Sequence, residues 1–440
     1  MNGSGMSTLR ASRRLQCPPE RSRVGEILLR LLGALLQILA TLAVVHALTP
    51  QQAGIFFRGF VIALGLSALL RGKYEIYLAQ HIIGRFGVST TPTGVLLLHL
   101  ARRVLLRATL VCGALLVVAA DLDIQAPQLQ TVLQTYLPFV LALPCVCLST
   151  LLGEALRAAN RTLGSVVASY AVNATMLLAV ALAPANASLA VYSWAFFLGS
   201  LLAAALAAAL ARRTFPITSA EGPQPISREV LQAVDSLELT GLSRGGLLWG
   251  PLCILSVWAP PLQMAEYAVA ARTALIVDFF LPALNLSGAP DELRPMELLP
   301  TPRRLGTQLA AALAYSSALV LPLMVLVPAT LALYGRPYDS QGTTYGLLLG
   351  AQWVNGVGRP ALRHAVAEWD SRRINITLGS AALSVVLICA LGVGTYGAQA
   401  AAAASLAGAL IVNGRVIVTA LSSRGAREPH SDSQLRPRSR

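Results

Sequence analysis

The segment AEYAVAARTALIVDFFLPAL, residues 265–284, is long and apolar enough to cross a membrane as one helix. A spanning helix needs about 20 apolar residues, because the hydrocarbon core is about 30 Å thick and a helix rises about 1.5 Å per residue. Arg272 and Asp278 are ionisable side chains in the interior of this segment. A charge near the bilayer centre costs about 2.5–3.5 kcal/mol on insertion scales, so the segment predicts a membrane helix whose charges have partners or a function.

The whole chain shares this apolar character. It has 440 residues, of which 55% are hydrophobic and 12% charged, and its mean hydropathy is +0.63. A soluble domain carries about 25% charged residues, so the bilayer is the expected solvent. Twelve candidate spans follow, near residues 27–48, 53–72, 100–120, 131–152, 163–183, 188–211, 238–259, 264–287, 307–333, 344–365, 374–396 and 399–421.

The basic residues orient these spans. With the N-terminus inside, 27 of the 34 lie on inner segments and only Arg336 lies on an outer one. This bias predicts that both termini are cytoplasmic. It also places the net charge of +14 beside anionic membrane lipids, so no nucleic acid partner is expected. Six basic residues remain within spans: Arg58, Arg244, Arg272, Arg359, Arg363 and Arg415.

A polar segment rich in proline divides the spans into two sets of six. Equivalent spans of the two sets run in the same direction, which predicts parallel repeats with a substrate cavity between them. The expected fold is therefore an all-α membrane protein of two six-helix lobes. The predicted parts are a basic tail 1–26, a first lobe 27–211, a cytoplasmic linker 212–237, a second lobe 238–421 and a basic tail 422–440.

Several short motifs resemble the multidrug/oligosaccharidyl-lipid/polysaccharide (MOP) exporter superfamily, especially its bacterial O-antigen and exopolysaccharide flippases. The motifs are LTPQQAG at 48–54, GEALRAANR at 153–161, AEYAVAAR at 265–272, the 285–290 segment and YGAQAAAAA at 396–404. The resemblance implies two lobes in a V and translocation of an undecaprenyl-pyrophosphate-linked oligosaccharide across the bacterial inner membrane. It further implies glycosyltransferases and a polymerase of the same pathway as partners.

Arginines on the spans are the candidate substrate-binding residues. The resemblance implies that the first, second, seventh and eighth helices line the central cavity, and these helices carry Arg30, Arg58, Arg244 and Arg272. A guanidinium suits a pyrophosphate because it stays protonated and binds two phosphate oxygens at once. The alternatives are ion pairs between helices or, for Arg30 and Arg244 near the inner surface, side chains that extend to the interface.

Asp278 needs a partner outside its own helix. It follows Arg272 by six residues and lies about 120° around the helix from it, whereas a same-helix pair needs a spacing of three or four. The candidates are Arg244 on the neighbouring span, or a coupling proton or sodium ion.

Arg71, Lys73 and Glu75 close the second span. Arg71 and Glu75 have the spacing of an ion pair at the inner interface. A place at the mouth of the cavity is the alternative for all three residues.

The chain lacks patterns for enzymatic or cofactor chemistry. Cys145 and Cys147 have no further ligand at metal-binding spacing, and the only lysine does not belong to a phosphate-binding loop, so no metal or cofactor is expected. A membrane-embedded saccharide-modifying enzyme would need placed acids and bases. The outer side offers only short loops with four acidic residues, Asp121, Asp123, Glu266 and Asp339.

The runner-up function is a cation-coupled drug antiporter of the same superfamily. That function predicts acidic residues within the core of the first lobe. The first six spans carry no Asp or Glu at mid-depth, which favours the flippase.

Overall fold

The computed structural model describes residues 20–82, 93–125, 130–159, 161–184, 187–216, 228–277, 280, 302–368 and 371–422. These residues form helices and short connections and contain no β-strand. The helices are α1 Glu20–Ala47, α2 Pro50–Ile82, α3 Thr93–Gln125, α4 Gln130–Ala158, α5 Thr162–Leu182, α6 Leu189–Thr214, α7 Arg228–Ser236, α8 Glu238–Trp258, α9 Pro261–Ala274, α10 Pro302–Val325, α11 Val327–Ala332, a 3-10 segment Arg336–Gln341, α12 Gly342–Glu368, α13 Ser371–Tyr396 and α14 Ala398–Ser422.

The predicted all-α membrane fold is confirmed, and each of the twelve predicted spans overlaps a described helix. Seven helices in the described ranges are long and apolar enough to cross a membrane, and α1 and α8 contain shorter apolar stretches. The ninth predicted span is divided into α10 and α11. The division falls at Leu326, just before Pro328, because a proline fits the first turn of a helix better than its interior.

The helices form two lobes. Helices α1–α6 pack on one another, with α4 against α2, α3, α5 and α6. In the second lobe, α14 packs against α8, α12 and α13. The lobes meet where α2 contacts α8 and α9, and where α1 contacts α9.

Glycines on one face of α2 let the two lobes approach closely. Gly54, Gly65 and Gly72 are separated by 11 and 7 residues, which places them along one stripe of the helix. A Cβ at Gly65 would lie 2.8 Å from Cys253 Sγ, and one at Gly72 would lie 3.2 Å from the Gly241 carbonyl oxygen. Side chains at these positions would therefore push α8 away from α2.

The buried cores show where the lobes join. One cluster draws residues from both lobes, such as Phe57 and Phe196 of the first and Tyr345 and Val385 of the second. It lies in the predicted outer half of the membrane. Towards the predicted inner side, the described residues form separate clusters in each lobe. The lobes are thus joined most broadly at the predicted outer side, and α2 and α8 stay in contact to the inner end.

The linker between the lobes contains a helix that the sequence analysis missed. Helix α7 is amphipathic, and its Val230 and Val234 are buried against the first lobe beside Tyr74 and Leu78. The polar connection predicted for residues 212–237 is therefore partly an ordered element that is attached to the first lobe.

Candidate functional site

A cavity of about 310 Å³ lies between the lobes. Helices α1, α2, α4, α5 and α6 of the first lobe form most of its wall, and α8 and α9 of the second lobe close it. Its polar side chains are Gln37, Ser149, Thr150, Ser169, Asn173 and Arg272, and its aromatic side chains are Phe57, Phe60, Tyr170, Phe196 and Trp249.

Among the described residues, Arg272 is the one charged residue in this lining. It lies 11 residues into α9, about 16 Å from the start of the helix, which is near the middle of a bilayer about 30 Å thick. Substrate sites between parallel repeats lie at this depth.

The Arg272 side chain crosses from the second lobe to the first. Its Nε donates to Thr41 Oγ1 on α1 at 2.7 Å, and its Nη2 donates to Asn173 Oδ1 on α5 at 3.3 Å. The guanidinium also lies over the Phe60 ring of α2, 4.6 Å from its centroid. Three helices of the first lobe therefore fix the orientation of a cation that the second lobe supplies.

The partners of Arg272 are neutral. In the described part of the chain, no carboxylate lies within ion-pair distance of it. Thr41 donates its own hydroxyl proton to the Gln37 carbonyl oxygen at 2.7 Å, which leaves the hydroxyl oxygen as an acceptor for Arg272. Uncharged acceptors satisfy hydrogen bonds but leave the positive charge uncompensated, so the site favours an anion.

Arg58 occupies a different position. Its Nη2 donates to the Ala259 carbonyl oxygen, in the connection between α8 and α9, at 2.6 Å. It does not belong to the lining of the cavity described above. Arg58 joins the lobes at the predicted outer end, and its contact with substrate stays a prediction.

Three other candidate residues lie beyond what the structure describes. Asp278 falls outside the described residues, and nothing is described of the Arg30 and Arg244 side chains. Their predicted roles, including the pair of Asp278 with Arg244, stay predictions.

The predicted pair of Arg71 and Glu75 is confirmed as an ion pair within α2. Lys73 faces the other lobe. Its Nζ lies 2.8 Å from Asp235 Oδ1 of α7 and also donates to Glu238 at the start of α8. The bond from Lys73 lowers the pKa of the Asp235 carboxyl below its usual value. A place for these residues at the mouth of the cavity stays a prediction, but Lys73 forms a polar connection between the lobes.

Sequence reasoning did not predict the position or the contacts of four polar side chains. Thr41 and Asn173 lie within apolar spans, where a single polar residue is common and gives no signal of its own. Glu266 was placed on a short outer loop, whereas the structure buries it in α9. The contact of Lys73 became predictable only once α7 was known, and the spacing of Val230 and Val234 is the signal for that helix.

No protein-family model matches the sequence, and neither does any curated protein. Solved structures match over almost the whole chain. An outward-facing multidrug resistance MATE family transporter of the MOP superfamily gives a TM-score of 0.63 at 14% identity, covering 93% of this chain and 96% of that one. The lipid II flippase MurJ, in an inward closed conformation, gives a TM-score of 0.62 at 10% identity, covering 90% of this chain and 87% of that one. A mutant of the Vibrio cholerae MATE transporter VcmN gives a TM-score of 0.57 at 13% identity, covering 93% of this chain and 97% of that one.

The chain has the MOP transporter fold. The predicted resemblance is therefore confirmed at the level of the fold, and the similar structures are transporters and a flippase. Identities of 10–14% do not carry a substrate from those proteins to this one. These comparisons show the fold, and what the cavity can bind must be inferred from its own residues.

Proposed function

We propose that this protein is a flippase for a lipid-linked oligosaccharide. It would move an undecaprenyl-pyrophosphate-linked oligosaccharide from the cytoplasmic to the periplasmic leaflet of the bacterial inner membrane, for a surface polysaccharide such as O-antigen. Glycosyltransferases of the pathway would supply this substrate and a polymerase would consume the product. One observation carries the proposal: a partly buried arginine at mid-depth between the lobes has only neutral partners in the described part of the chain.

The orientation of Arg272 suits a phosphate. A guanidinium has five N–H donors. In Arg272 the Nε donor binds Thr41, and an Nη2 donor binds Asn173. Because Phe60 holds the plane of the guanidinium, the remaining donors keep a fixed direction. A diphosphate offers charged acceptors, which form stronger hydrogen bonds than the neutral oxygens of Thr41 and Asn173.

The size of the cavity indicates which part of the substrate it binds. At about 310 Å³ it is at the lower end of the range of roughly 300–1,000 Å³ for ligand sites. That volume accommodates a diphosphate and an adjoining sugar, but not a whole oligosaccharide. Separation of the lobes must therefore accompany transport, as expected for two repeats that move about a fixed site.

The second candidate is an antiporter of drugs or other small molecules. Two of the similar structures are MATE transporters, one of them a multidrug resistance transporter, and the aromatic wall of the cavity suits an apolar ligand. A cationic drug would meet the charge of Arg272 at close range without a compensating carboxylate in the described residues. An anionic substrate is therefore the better fit.

The proposal is tested by binding to the purified protein in detergent. Undecaprenyl pyrophosphate is expected to raise the melting temperature of the wild type, whereas ethidium is not. Replacing Arg272 with alanine removes one charge-assisted contact of about 1.5–3 kcal/mol, which should lower the affinity for undecaprenyl pyrophosphate by about 10- to 150-fold. Arg272→Lys should recover part of the affinity, because lysine keeps the charge but loses the two-pronged geometry.

Arg336→Ala is the matched control, because Arg336 is an exposed arginine on the 3-10 segment. It should bind like the wild type. Unchanged affinity in a folded Arg272→Ala protein, or binding of ethidium in place of undecaprenyl pyrophosphate, would overturn the proposal.

A further inference from the structure

Trp249 is the part of the cavity wall that binding of a diphosphate leaves without a role. It lies on α8 of the second lobe, lines the cavity and is only partly buried. Its indole N–H forms no hydrogen bond within the described part of the chain. A buried tryptophan usually has a partner for this donor, because one edge of its ring system is polar and the rest is apolar. The cavity therefore contains a flat apolar surface with a polar edge that a ligand can use.

Trp249 lies on the inner side of Arg272. A Cβ at Gly65 of α2 would lie 3.7 Å from Trp249 Cβ, whereas the Arg272 guanidinium lies over the ring of Phe60 on the same helix. Phe60 and Gly65 are five residues apart, which is about 7 Å along the helix axis. Since α2 runs from the predicted outer side to the predicted inner side, Trp249 lies about 7 Å further inward than the guanidinium. This separation leaves room for one further group beside a diphosphate bound at Arg272.

Two hydroxyl groups of α4 line the same cavity. Ser149 Oγ donates to the Val146 carbonyl oxygen at 3.2 Å, and Thr150 Oγ1 donates to that oxygen at 2.5 Å. A hydroxyl group has one proton to donate and two lone pairs that accept. Because each proton is engaged within α4, both oxygens are left as acceptors. They suit a ligand that carries O–H or N–H groups.

These acceptors lie next to the anion site. A Cβ at Gly153 of α4 would lie 3.7 Å from Ser169 Oγ of α5. The two helices run in opposite directions, so Ser149, four residues before Gly153, is level with Asn173, four residues after Ser169. Asn173 accepts from Arg272 through Oδ1, which leaves its amide N–H groups as donors. A ligand at Arg272 therefore meets donors on α5 and α9 and acceptors on α4.

A sugar ring matches this combination of groups. Its hydroxyl groups donate hydrogen bonds around the rim, and its C–H groups form an apolar face that stacks on an aromatic ring. Ligand sites of this kind combine aromatic walls with a few placed polar groups that fix the orientation. An aromatic drug could also stack on Trp249, but it offers few donors for Ser149 and Thr150. The groups on the inner side of Arg272 therefore favour a carbohydrate.

We propose that the sugar attached to the diphosphate binds between Trp249 of the second lobe and the Ser149 and Thr150 hydroxyls of the first lobe. This assignment deepens the proposed flippase function and rests on it. The sugar contacts both lobes, whereas a lipid that lacks the sugar is held only through its diphosphate. Trp249, Ser149 and Thr150 are then the residues that distinguish a loaded lipid carrier from an empty one.

The test compares two lipids on the purified protein by microscale thermophoresis. One is undecaprenyl pyrophosphate, and the other is the same lipid with one N-acetylglucosamine attached to the diphosphate. The detergent is lauryldimethylamine oxide, because a glycoside detergent would itself offer sugars to the site. The wild type should bind the sugar-bearing lipid about 10-fold more tightly, as expected for two or more neutral hydrogen bonds.

Two variants should reduce this preference for the sugar. Ser149→Ala/Thr150→Val removes both acceptors and should lower the affinity ratio of the two lipids by about 2- to 10-fold. Trp249→Leu removes the flat ring and the N–H donor and should also lower the ratio. Trp249→Phe keeps an aromatic face and should retain more of the preference than Trp249→Leu. The melting temperature of each variant shows that it is folded.

Ser200→Ala is the matched control. Ser200 Oγ donates to the Phe196 carbonyl oxygen of its own helix at 2.8 Å, as Ser149 does to Val146, but Ser200 does not line the cavity. This variant should keep the wild-type ratio.

Equal affinity of the wild type for the two lipids would overturn the assignment, and so would the full preference in folded Ser149→Ala/Thr150→Val and Trp249→Leu proteins. Neither result affects the flippase proposal, which depends on the loss of undecaprenyl pyrophosphate binding in Arg272→Ala. If the wild type binds neither lipid, the flippase proposal fails and the sugar site fails with it.

Discussion

Replacement of Lys73 by methionine tests the polar connection between the lobes. Lys73 lies on α2 of the first lobe, Asp235 on α7 of the linker and Glu238 at the start of α8 of the second lobe. The ammonium contacts both carboxylates, so its removal releases both bonds at once. The size of the effect depends on how far each of the three groups is buried.

The three side chains differ sharply in exposure. The Lys73 side chain is 5% exposed, whereas Asp235 is 64% and Glu238 is 49% exposed. Water can solvate the two carboxylates that remain after Lys73→Met, so this change should cost only the charged hydrogen bonds, about 1–3 kcal/mol. Neutralising both carboxylates instead leaves the buried Lys73 ammonium without a charged partner, which should lower the free energy of unfolding by about 3–5 kcal/mol. The double variant Asp235→Asn/Glu238→Gln should therefore unfold more easily than Lys73→Met.

Thermal unfolding of the purified variants in detergent measures this order of stability. The folded fraction left after heating is determined by size-exclusion chromatography. The triple variant with Lys73→Met added should regain the melting temperature of Lys73→Met alone. Glu154→Gln is the control, because Glu154 forms a partly exposed ion pair with Arg157 whose loss should cost about 0–1 kcal/mol. A double variant as stable as Lys73→Met would refute the reasoning from burial.

Four further predictions concern the pH dependence of the Lys73 bond, the glycines of α2, Asp278 and the topology. The bond from Lys73 lowers the pKa of Asp235 in the folded protein. The stability that this bond contributes is therefore complete above the unfolded-state pKa of about 3.9 and is lost as the pH falls through the lower folded-state pKa. The difference in melting temperature between the wild type and Lys73→Met should thus be constant near neutral pH and shrink in acid. Gly65→Ala places a Cβ 2.8 Å from Cys253 Sγ and should lower the melting temperature by overpacking worth about 1–3 kcal/mol, and Cys253→Ala should restore it. Asp278→Asn should reduce membrane abundance, and Arg244→Gln should recover it; normal abundance with lost transport would favour ion coupling. Reporter fusions should read periplasmic at Gln51, Asn186 and Gln341 and cytoplasmic at Gly222, and a periplasmic signal at Gly222 would contradict the twelve-span topology.

The sequence by itself determined the membrane class, the number of spans and the fold. These properties follow from one-dimensional patterns, because a bilayer demands about 20 apolar residues for each helix regardless of what that helix contacts. The same reasoning marked Arg272 as exceptional, since a charge within an apolar run stands out without knowledge of its neighbours.

Only the tertiary structure decided which polar side chains meet. Thr41, Asn173 and Arg272 are separated by up to 231 residues in the chain, yet they form one group across the interface between the lobes. Glu266 looked like a loop residue because the sequence shows where a helix starts but not which neighbours cover it. Partners of this kind depend on how helices rotate and approach one another, and small residues such as Gly65 set that approach through packing against the opposite lobe.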